Sequence, residues 1–253
     1  MDEASERTGG REITAGLVVI GDEVLSGRTK DQNIGHIAER LTVEGIDLRE
    51  VRVVADVEAD IVAAVNALRA RFTYVFTTGG IGPTHDDITA DAVARAFGVG
   101  IDVDPRARAM LLDYIAETEL NEARLRMARI PHGASLVVNA VSKAPGFRIG
   151  NVIVMAGVPR IMQAMLEAVL PELEKGRPML SRSVTAHAKE GDIAGPLAAI
   201  ARRFPDAVIG SYPFRDEAGR FGTNLVVRAR DEAVLEAAHA AVAAMVAQMS
   251  PAA

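Results

Sequence analysis

The glycine-rich segment TTGGIGPTHDDIT, from Thr77 to Thr89, decides how the rest of the chain is interpreted. The apolar run at residues 74–78 predicts a buried strand that leads into it, and an apolar stripe at helical spacing follows Asp87. Glycines let a backbone approach a ligand closely, and free N–H groups at the start of a helix favour anions. The segment therefore predicts a strand–loop–helix unit that binds phosphate.

Two familiar phosphate-binding patterns do not fit the segment. No Gly-Lys-Ser/Thr follows the glycines, which excludes a Walker A loop, and the third glycine of the dinucleotide fingerprint is missing. The adjacent carboxylates of Asp86 and Asp87 are candidate ligands for Mg²⁺ held against phosphate oxygens. An alternative stays open, in which the Asp and Thr residues only cap the following helix.

Short apolar runs alternate with helical patterns along the first part of the chain. Strands are predicted at residues 15–20, 46–54, 74–78, 135–138 and 152–155, and helices at 33–44, around 61–68, after 87 and from 159 to about 173. A longer, charged helical stretch is predicted over residues 104–129. This alternation is typical of a parallel sheet with helices on both faces.

The run Gly176-Arg177-Pro178 interrupts this pattern and predicts a domain boundary. After it, predicted strands at residues 183–187, 207–211 and 223–230 and helices at 194–203 and 231–249 indicate a small α+β domain. The expected domains are therefore 13–176 and 177–253. Residues 1–12 are polar and are expected to form a disordered leader.

Composition excludes several classes of function. The 253 residues carry a formal net charge of −6 and contain no Cys, which rules out disulfides, a thiolate nucleophile and thiolate metal sites within the chain. The acidic balance and the scarcity of aromatic residues argue against nucleic acid as a partner. No apolar run reaches the length of a membrane span, and the start lacks a signal-peptide pattern, so we expect a cytoplasmic protein without membrane contact.

A second group of polar residues follows the first predicted strand. Asp22, Glu23 and Ser26 come directly after that strand, and Asp31 and Asn33 lie in the same connection. In a doubly wound sheet such positions lie at the carboxyl end of a strand, where ligands bind. The alternative is that Asp31 or Asn33 caps the next helix.

Three further features leave a functional and a structural interpretation open. Asp56, after the second predicted strand, is either a turn residue or a site residue. His85, beside two aspartates, is a candidate ligand but is more typical of a solvated loop. Arg124, Arg126 and Arg129 form either a solvated helix face or a phosphate clamp.

Two loop segments rich in Pro and Gly complete the candidate site. Pro145-Gly146 and Gly157-Val158-Pro159 can shape a loop around a ligand, but their pattern alone favours ordinary turns.

Several motifs, in order along the chain, resemble the MoaB/Mog molybdopterin-binding domain. They are GDEVLSG at residues 21–27, Asp31-x-Asn33, and TGGIGPTHDDIT at residues 78–89. Asn139, APGF at residues 144–147 and GVPRIM at residues 157–162 are similar, more narrowly, to the version in the competence/damage-inducible protein CinA and in the N-terminal half of eukaryotic FAD synthases. This resemblance covers about residues 13–175, and residues 209–214 resemble the small domain that follows in the FAD-synthase-like branch.

The resemblance implies a three-layer α/β/α fold with a mostly parallel sheet and a ligand site at the carboxyl ends of the strands. It implies catalytic roles for Asp87, Asp56 and Glu23, and the carboxylates of Asp86 and Asp87 are the expected metal ligands. The expected cofactor-binding residues are Thr78, Gly79, Gly80, Gly82, Asp22, Ser26, Asn33, Pro145, Gly146, Gly157 and Pro159.

The function expected from the resemblance is hydrolysis of a nucleotide pyrophosphate such as ADP-ribose or FAD, with Mg²⁺ or another divalent metal. The alternatives are a non-catalytic module that binds molybdopterin and, less favoured, a molybdopterin adenylyltransferase. The chain lacks the C-terminal deamidase domain of full-length CinA and the nucleotidyltransferase half of FAD synthase, so neither of those activities is expected. A small phosphorylated ligand and a homo-oligomer, dimer or trimer, are the expected partners.

Overall fold

The computed structural model describes residues 12–216 and 219–249. The predicted leader, apart from Glu12, lies outside the described residues. Internal contacts divide the chain into two compact units, with the division between Gly176 and Arg177.

The first unit is built on a six-stranded sheet. Its strands and those of a small accessory sheet are β1 (Ile13–Ile20), β2 (Ile46–Val54), β3 (Tyr74–Thr78), β4 (Ile101–Val103), β5 (Arg129–Pro131), β6 (Ser135–Val137), β7 (Gly146–Ile149) and β8 (Val152–Met155). The order in the large sheet is β2-β1-β3-β8-β7-β6, and β4 and β5 form a separate two-stranded sheet. The four strands β2, β1, β3 and β8 are parallel, and β7 runs antiparallel to both of its neighbours.

Helices cover both faces of this sheet. They are α1 (Asp22–Leu25), α2 (Asn33–Val43), α3 (Glu58–Arg69), α4 (Thr89–Phe97), α5 (Pro105–Leu112), α6 (Glu122–Arg126) and α7 (Pro159–Val169), with single 3₁₀ turns at Glu117–Glu119 and Leu170–Glu172. Successive strand residues point to opposite faces, so the apolar run of β1 serves two cores. Leu17 belongs to the core that includes Ile37 of α2, and Val18 belongs to the core that includes Ile61 of α3. The prediction of a mostly parallel, three-layer α/β/α sheet is confirmed.

The register of the sheet brings strand ends together. β1 pairs with β3 from Ala15 opposite Tyr74 to Val19 opposite Thr78, and Thr78 in turn lies opposite Met155 of β8. The connections that follow β1, β3 and β8 therefore leave the sheet at one edge, which is where the candidate site lies.

The predicted helix over residues 104–129 is wrong, because the segment is broken into short pieces. Asp104 caps α5 by accepting hydrogen bonds from the N–H groups of Arg106 and Ala107, and Asn121 caps the separate helix α6 through the N–H of Arg124. The end of the segment pairs as β5 with β4 instead of continuing as a helix. Strand β7 was not predicted, since Pro145-Gly146 indicates a turn locally and only pairing with β6 and β8 makes the next residues a strand.

The second unit has the predicted β-α-β-β-α order. Its elements are β9 (Leu180–Ala186), α8 (Glu190–Arg203), β10 (Val208–Arg215), β11 (Phe221–Ala229) and α9 (Glu232–Met249). β11 lies between β10 and β9 and is antiparallel to both. Leu225 and Val227 of β11 pack with Ile193 of α8 and Leu235 of α9 in a single core, so the prediction of a small α+β unit is confirmed.

In neither unit does a helix of the described residues have both the length and the apolar character that a membrane crossing requires.

Candidate functional site

A pocket of about 640 Å³ lies at the carboxyl edge of the parallel strands. Its walls come from the connections after β1, β2, β3 and β8, from the loop before β7 and from the start of α7. The residues lining it include Ile20, Gly21, Glu23, Asp56, Gly79, Gly80, Ile81, Gly82, Asp86, Asp87, Asn139, Ala144, Gly157, Pro159 and Met165. The catalytic candidates Glu23, Asp56 and Asp87 thus line one pocket, although they come from three separate connections.

The loop after β3 has a conformation that only glycine allows. Gly79 has φ 101° and Gly80 has φ 66°, in the left-handed region. A Cβ on Gly79 would lie 2.1 Å from the carbonyl oxygen of Ile20, and a Cβ on Gly80 would lie 2.1 Å from Oγ1 of Thr89. Thr89, buried at the start of α4, donates its hydroxyl to the Gly79 carbonyl at 2.9 Å and its N–H to the Gly80 carbonyl at 2.9 Å. These contacts clamp the loop against the first turn of α4.

Three consecutive N–H groups of this loop are available to a ligand. Within the described part of the chain, the N–H groups of Gly80, Ile81 and Gly82 have no hydrogen-bond acceptor, whereas that of Gly79 donates to the Met155 carbonyl. Consecutive free N–H groups around a left-handed glycine form a concave site for anions. The loop therefore has a backbone of the kind that binds anions, and phosphate binding stays a prediction.

Asp87 shapes the loop and does not cap the helix. Its Oδ2 accepts the N–H of Thr84 at 2.8 Å and the hydroxyl of Thr84 at 2.5 Å. The residue at the N-cap of α4 is Ile88, which makes no side-chain cap. The capping alternative for Asp86 and Asp87 is therefore wrong, and both residues line the pocket.

Asp56 lies in an electronegative corner of the pocket. Its Oδ2 accepts the backbone N–H of Asp22 at 2.9 Å. The pKa of Asp56 is raised from its ordinary value, first by partial burial and then by repulsion from the carboxylates of Asp22, Glu23 and Asp86, against the opposing effect of the Asp22 N–H. A carboxylate with a raised pKa holds a proton more readily than its exposed counterparts.

The carboxylates around the pocket are of the chemical type that binds Mg²⁺, yet they do not form a closed cage. Among residues 12–216 and 219–249, no group of three or more His, Asp or Glu side chains could hold a metal ion. Mg²⁺ is commonly held by only one or two carboxylates together with waters and substrate phosphates. The donor set therefore fits a metal that arrives with a phosphorylated ligand and does not fit a metal held by the protein alone.

A smaller inner pocket of about 190 Å³ adjoins the main one on the side of α2. Asp31 caps α2, since its Oδ1 accepts the N–H groups of Asn33 at 3.0 Å and Ile34 at 2.8 Å. Asn33 donates its side-chain N–H to the Gly157 carbonyl at 2.8 Å and so ties α2 to the connection after β8. Asp31 therefore has the predicted capping role, whereas Asn33 does not cap the helix and instead lines the smaller pocket.

Several of the predicted cofactor contacts lie outside the two pockets. Ser26 is exposed, and its hydroxyl donates to the Glu23 carbonyl at 3.3 Å. Asp22 lines neither pocket and acts through its N–H. Gly146 starts β7, and Pro145 lines a very small cavity beside the glycine loop. His85 is almost fully exposed, as expected for a solvated loop.

The three arginines of the charged segment have separate roles. Arg129 forms a bidentate ion pair with Asp91 at 2.7 and 2.8 Å, and Arg124 donates to the Glu119 carbonyl at 2.7 Å. Nη2 of Arg126 donates to the Asp87 carbonyl at 3.3 Å, and both Arg126 and Arg129 line the very small cavity beside the glycine loop. The spacing of the three arginines could not distinguish their roles, because it predicted a single helix where the structure has a five-residue helix followed by a strand.

Fold and pocket together define a class of protein, a three-layer α/β domain with a pocket, lined by a glycine loop and carboxylates, at the carboxyl ends of its parallel strands. Residues 16–175 match the family described as "Probable molybdopterin binding domain", and residues 178–251 match "FAD synthase, middle domain". The chain belongs to the molybdopterin-binding-domain family of the MoaB/Mog type, in its CinA-like form.

Individual relatives support this assignment. A protein of Archaeoglobus fulgidus is 32% identical over 78% of this chain and 84% of its own length. A CinA-like protein of Desulfosudis oleivorans is 39% identical over 64% of this chain, but the match spans only 41% of that longer protein. The crystal structure of CinA from Thermoplasma acidophilum, whose function is stated as unknown, superposes with a TM-score of 0.60 at 34% identity, covering 63% of this chain and 96% of that one.

Proposed function

We propose that the main pocket hydrolyses the pyrophosphate bond of a nucleotide such as ADP-ribose or FAD, with the help of a divalent cation. The observation that carries this proposal is the presence of Glu23, Asp56, Asp86 and Asp87 around the same pocket as a loop with three free N–H groups. The family membership is compatible with the proposal but does not specify the reaction.

The size of the pocket supports a ligand larger than a single phosphate. About 640 Å³ lies within the range of sites that enclose small organic molecules and cofactors. The loop N–H groups occupy one wall, and apolar groups such as Ile161 and Met165 occupy another. A molecule with both a phosphate part and a ring part matches these walls.

Charge supports the participation of a cation. Four carboxylates beside the phosphate site would repel the two negative charges of a pyrophosphate diester. Asp56 already has a raised pKa, caused first by partial burial and further by the charges of Asp22, Glu23 and Asp86. A divalent cation bound by one or two of these carboxylates and the phosphate oxygens would neutralise this repulsion and lower the pKa of a bound water.

The chain's own residues then have distinct roles. The N–H groups of Gly80, Ile81 and Gly82 hold the phosphate oxygens and stabilise the charge that develops there. Water forms a bond to one phosphorus, the bond from that phosphorus to the bridging oxygen breaks, and the bridging oxygen leaves with the other phosphate. Asp56 accepts the proton of the water, because it lines the pocket and its raised pKa makes its carboxylate more basic than an ordinary aspartate. The products from ADP-ribose are AMP and ribose 5-phosphate.

The test measures AMP released from ADP-ribose, FAD and NAD with Mg²⁺, Mn²⁺ or Co²⁺. Wild type is compared with Asp56→Asn and Asp87→Asn, and with Asp60→Asn as a matched control, since Asp60 is exposed on α3 and lines neither pocket. We expect metal-dependent release that falls by about a hundredfold or more in the two pocket variants and is unchanged in the control. Circular dichroism verifies that each variant is folded.

Full activity of Asp87→Asn and Asp56→Asn would refute the proposed site. Absence of AMP release from all three nucleotides would favour the second candidate, a module that binds a pterin without turning it over. That candidate is supported by the name of the family and by the lack, among the described residues, of a preformed metal cluster. Titration with molybdopterin would then be the direct measurement.

A further inference from the structure

Arg126 is a partly buried arginine without a counter-ion beside the glycine loop. Within residues 12–216 and 219–249 it forms no ion pair, and its one hydrogen bond runs from Nη2 to the Asp87 carbonyl at 3.3 Å. Partial burial of a cation costs free energy unless an anion compensates its charge. An anionic group of a bound ligand would offset this cost.

The two neighbouring arginines of the same segment have carboxylate partners. A guanidinium nitrogen of Arg124 lies 3.6 Å from a carboxylate oxygen of Glu119, and one of Arg129 lies 2.7 Å from a carboxylate oxygen of Asp91. Arg124 also lines none of the three pockets described above. Helix α6 therefore contains one arginine without an ion pair and, two residues earlier, a paired arginine that serves as a control.

One nitrogen of the Arg126 guanidinium is accessible. Nε is buried and has no partner. Nη1 has no partner among the described residues either, but it is not a buried atom. Because the guanidinium is planar and rigid, Nη1 lies beside the Nη2 that contacts the Asp87 carbonyl. The accessible nitrogen is therefore next to a residue that lines the main pocket.

Arg126 lines a cavity of about 20 Å³ that adjoins the main pocket. Asp87 and the loop residues 80–82 line both spaces, so the glycine loop is a wall of each. A cavity of this size admits one water-sized group. A single phosphate oxygen has that size, whereas a ring or a whole phosphate does not.

We propose that Arg126 holds a phosphate group of the ligand, with Nη1 donating to a non-bridging oxygen that enters the small cavity. A guanidinium suits this role because it is always charged and donates several N–H groups in one plane. This inference rests on the proposed function in one respect, namely that a phosphate of the ligand contacts the glycine loop. It does not require that the ligand be hydrolysed.

The experiment measures binding of methylenediphosphonate by titration calorimetry in the presence of Mg²⁺. In this probe a carbon replaces the bridging oxygen of pyrophosphate, so it cannot be hydrolysed, and it carries no ring. Arg126→Met removes the charge and keeps an unbranched side chain, Arg126→Lys keeps the charge, and Arg124→Met is the matched control. Each protein is titrated at about 50 mM and about 500 mM NaCl. Circular dichroism verifies that the variants are folded.

We expect Arg126→Met to weaken binding by about tenfold to a hundredfold at the lower salt concentration, because it removes a charge-assisted hydrogen bond. Arg126→Lys should bind more tightly than Arg126→Met, and Arg124→Met should bind like wild type. The difference between wild type and Arg126→Met should shrink at the higher salt concentration, because salt screens a contact between charges. A side chain that only positioned the loop would give a loss of affinity that does not depend on salt.

Equal affinity of Arg126→Met and wild type would overturn the proposal, and so would failure of wild type to bind the probe. A loss that is the same at both salt concentrations, or the same in Arg126→Lys as in Arg126→Met, would also overturn it. An equal loss in Arg124→Met would assign the effect to the overall charge of the protein and not to this contact. The assay involves no hydrolysis, so the phosphate contact can stand when AMP release fails, and AMP release can stand when the contact fails.

Discussion

Replacement of Gly80 by Ala tests whether the loop geometry, and not only its composition, makes the site. At φ 66°, a residue with a Cβ is disfavoured by roughly 1–2 kcal/mol relative to glycine. The new Cβ would also lie 2.1 Å from Oγ1 of Thr89, a distance that no real structure tolerates. Thr89 must therefore move, and its hydrogen bond to the Gly79 carbonyl is lost at a further cost of about 1 kcal/mol.

The expected outcome is a destabilisation of about 2–3 kcal/mol, measured by urea denaturation followed by circular dichroism. Affinity for inorganic pyrophosphate should fall at the same time, because the change distorts the loop that carries the three free N–H groups. Gly35→Ala is the matched control, since a Cβ on Gly35 in α2 meets no described atom within 4 Å. That change should stabilise the protein by up to about 1 kcal/mol, as Ala is the better helix former.

The reasoning would be refuted by a Gly80→Ala protein that unfolds within about 0.5 kcal/mol of wild type, the range of an ordinary surface substitution. A Gly80→Ala protein that is destabilised but binds pyrophosphate as well as wild type would separate the effect on stability from the effect on binding. It would show that the clamp between the loop and α4 serves folding alone.

Three further outcomes are expected. Asp56→Asn should be more stable than wild type at neutral pH, because it removes a partly buried negative charge. The difference in unfolding free energy should vanish as the pH falls through the raised pKa of Asp56, because protonation removes that charge from the wild type as well. Urea midpoints measured from about pH 8 down to about pH 4 check this. Asp104→Ala should lower the free energy of unfolding by about 1 kcal/mol, because it removes the cap of α5. This loss should shrink as the pH falls from about 4 towards the depressed pKa of Asp104, about 2, where the wild-type carboxylate is neutralised. Equal losses at both ends of that pH range would contradict the prediction. Arg126→Met should lower stability by under about 1 kcal/mol but speed hydrogen exchange in the loop around Asp87, because the Asp87 carbonyl loses the hydrogen bond from the guanidinium. Unchanged exchange would exclude a positioning role for Arg126.

Much of the fold followed from the sequence because buried parallel strands require continuous apolar runs. Strands β2 and β3 have the predicted bounds, and the helices that pack on them show apolar stripes at helical spacing. The glycine loop was predictable because its conformation requires glycine and so leaves a signal in the sequence. At Gly79, the positive φ and the close approach to Ile20 leave no alternative to glycine.

The charged segment over residues 104–129 shows where local pattern is insufficient. Its apolar residues have nearly helical spacing, but caps at Asp104 and Asn121 and pairing of β5 with β4 divide it. Pairing partners are distant in sequence, so the short strands β5 and β7 carry little local signal. Of the three arginines in this segment, Arg126 is the one whose guanidinium donates to the carbonyl of Asp87.

The sequence by itself determined most of the strands and helices, the glycine-rich loop after β3 and the family to which the motifs belong. Only the tertiary structure decided which side chains meet. Asp56 lies near Glu23 and Asp86 because parallel strands bring their carboxyl ends to one edge. Thr77 and Thr78 are identical neighbours in sequence, yet the pleat of β3 places Thr77 on the face packed beneath α3 and Thr78 on the opposite face, where it lines the smaller pocket. That distinction depends on the packing of helices against each face.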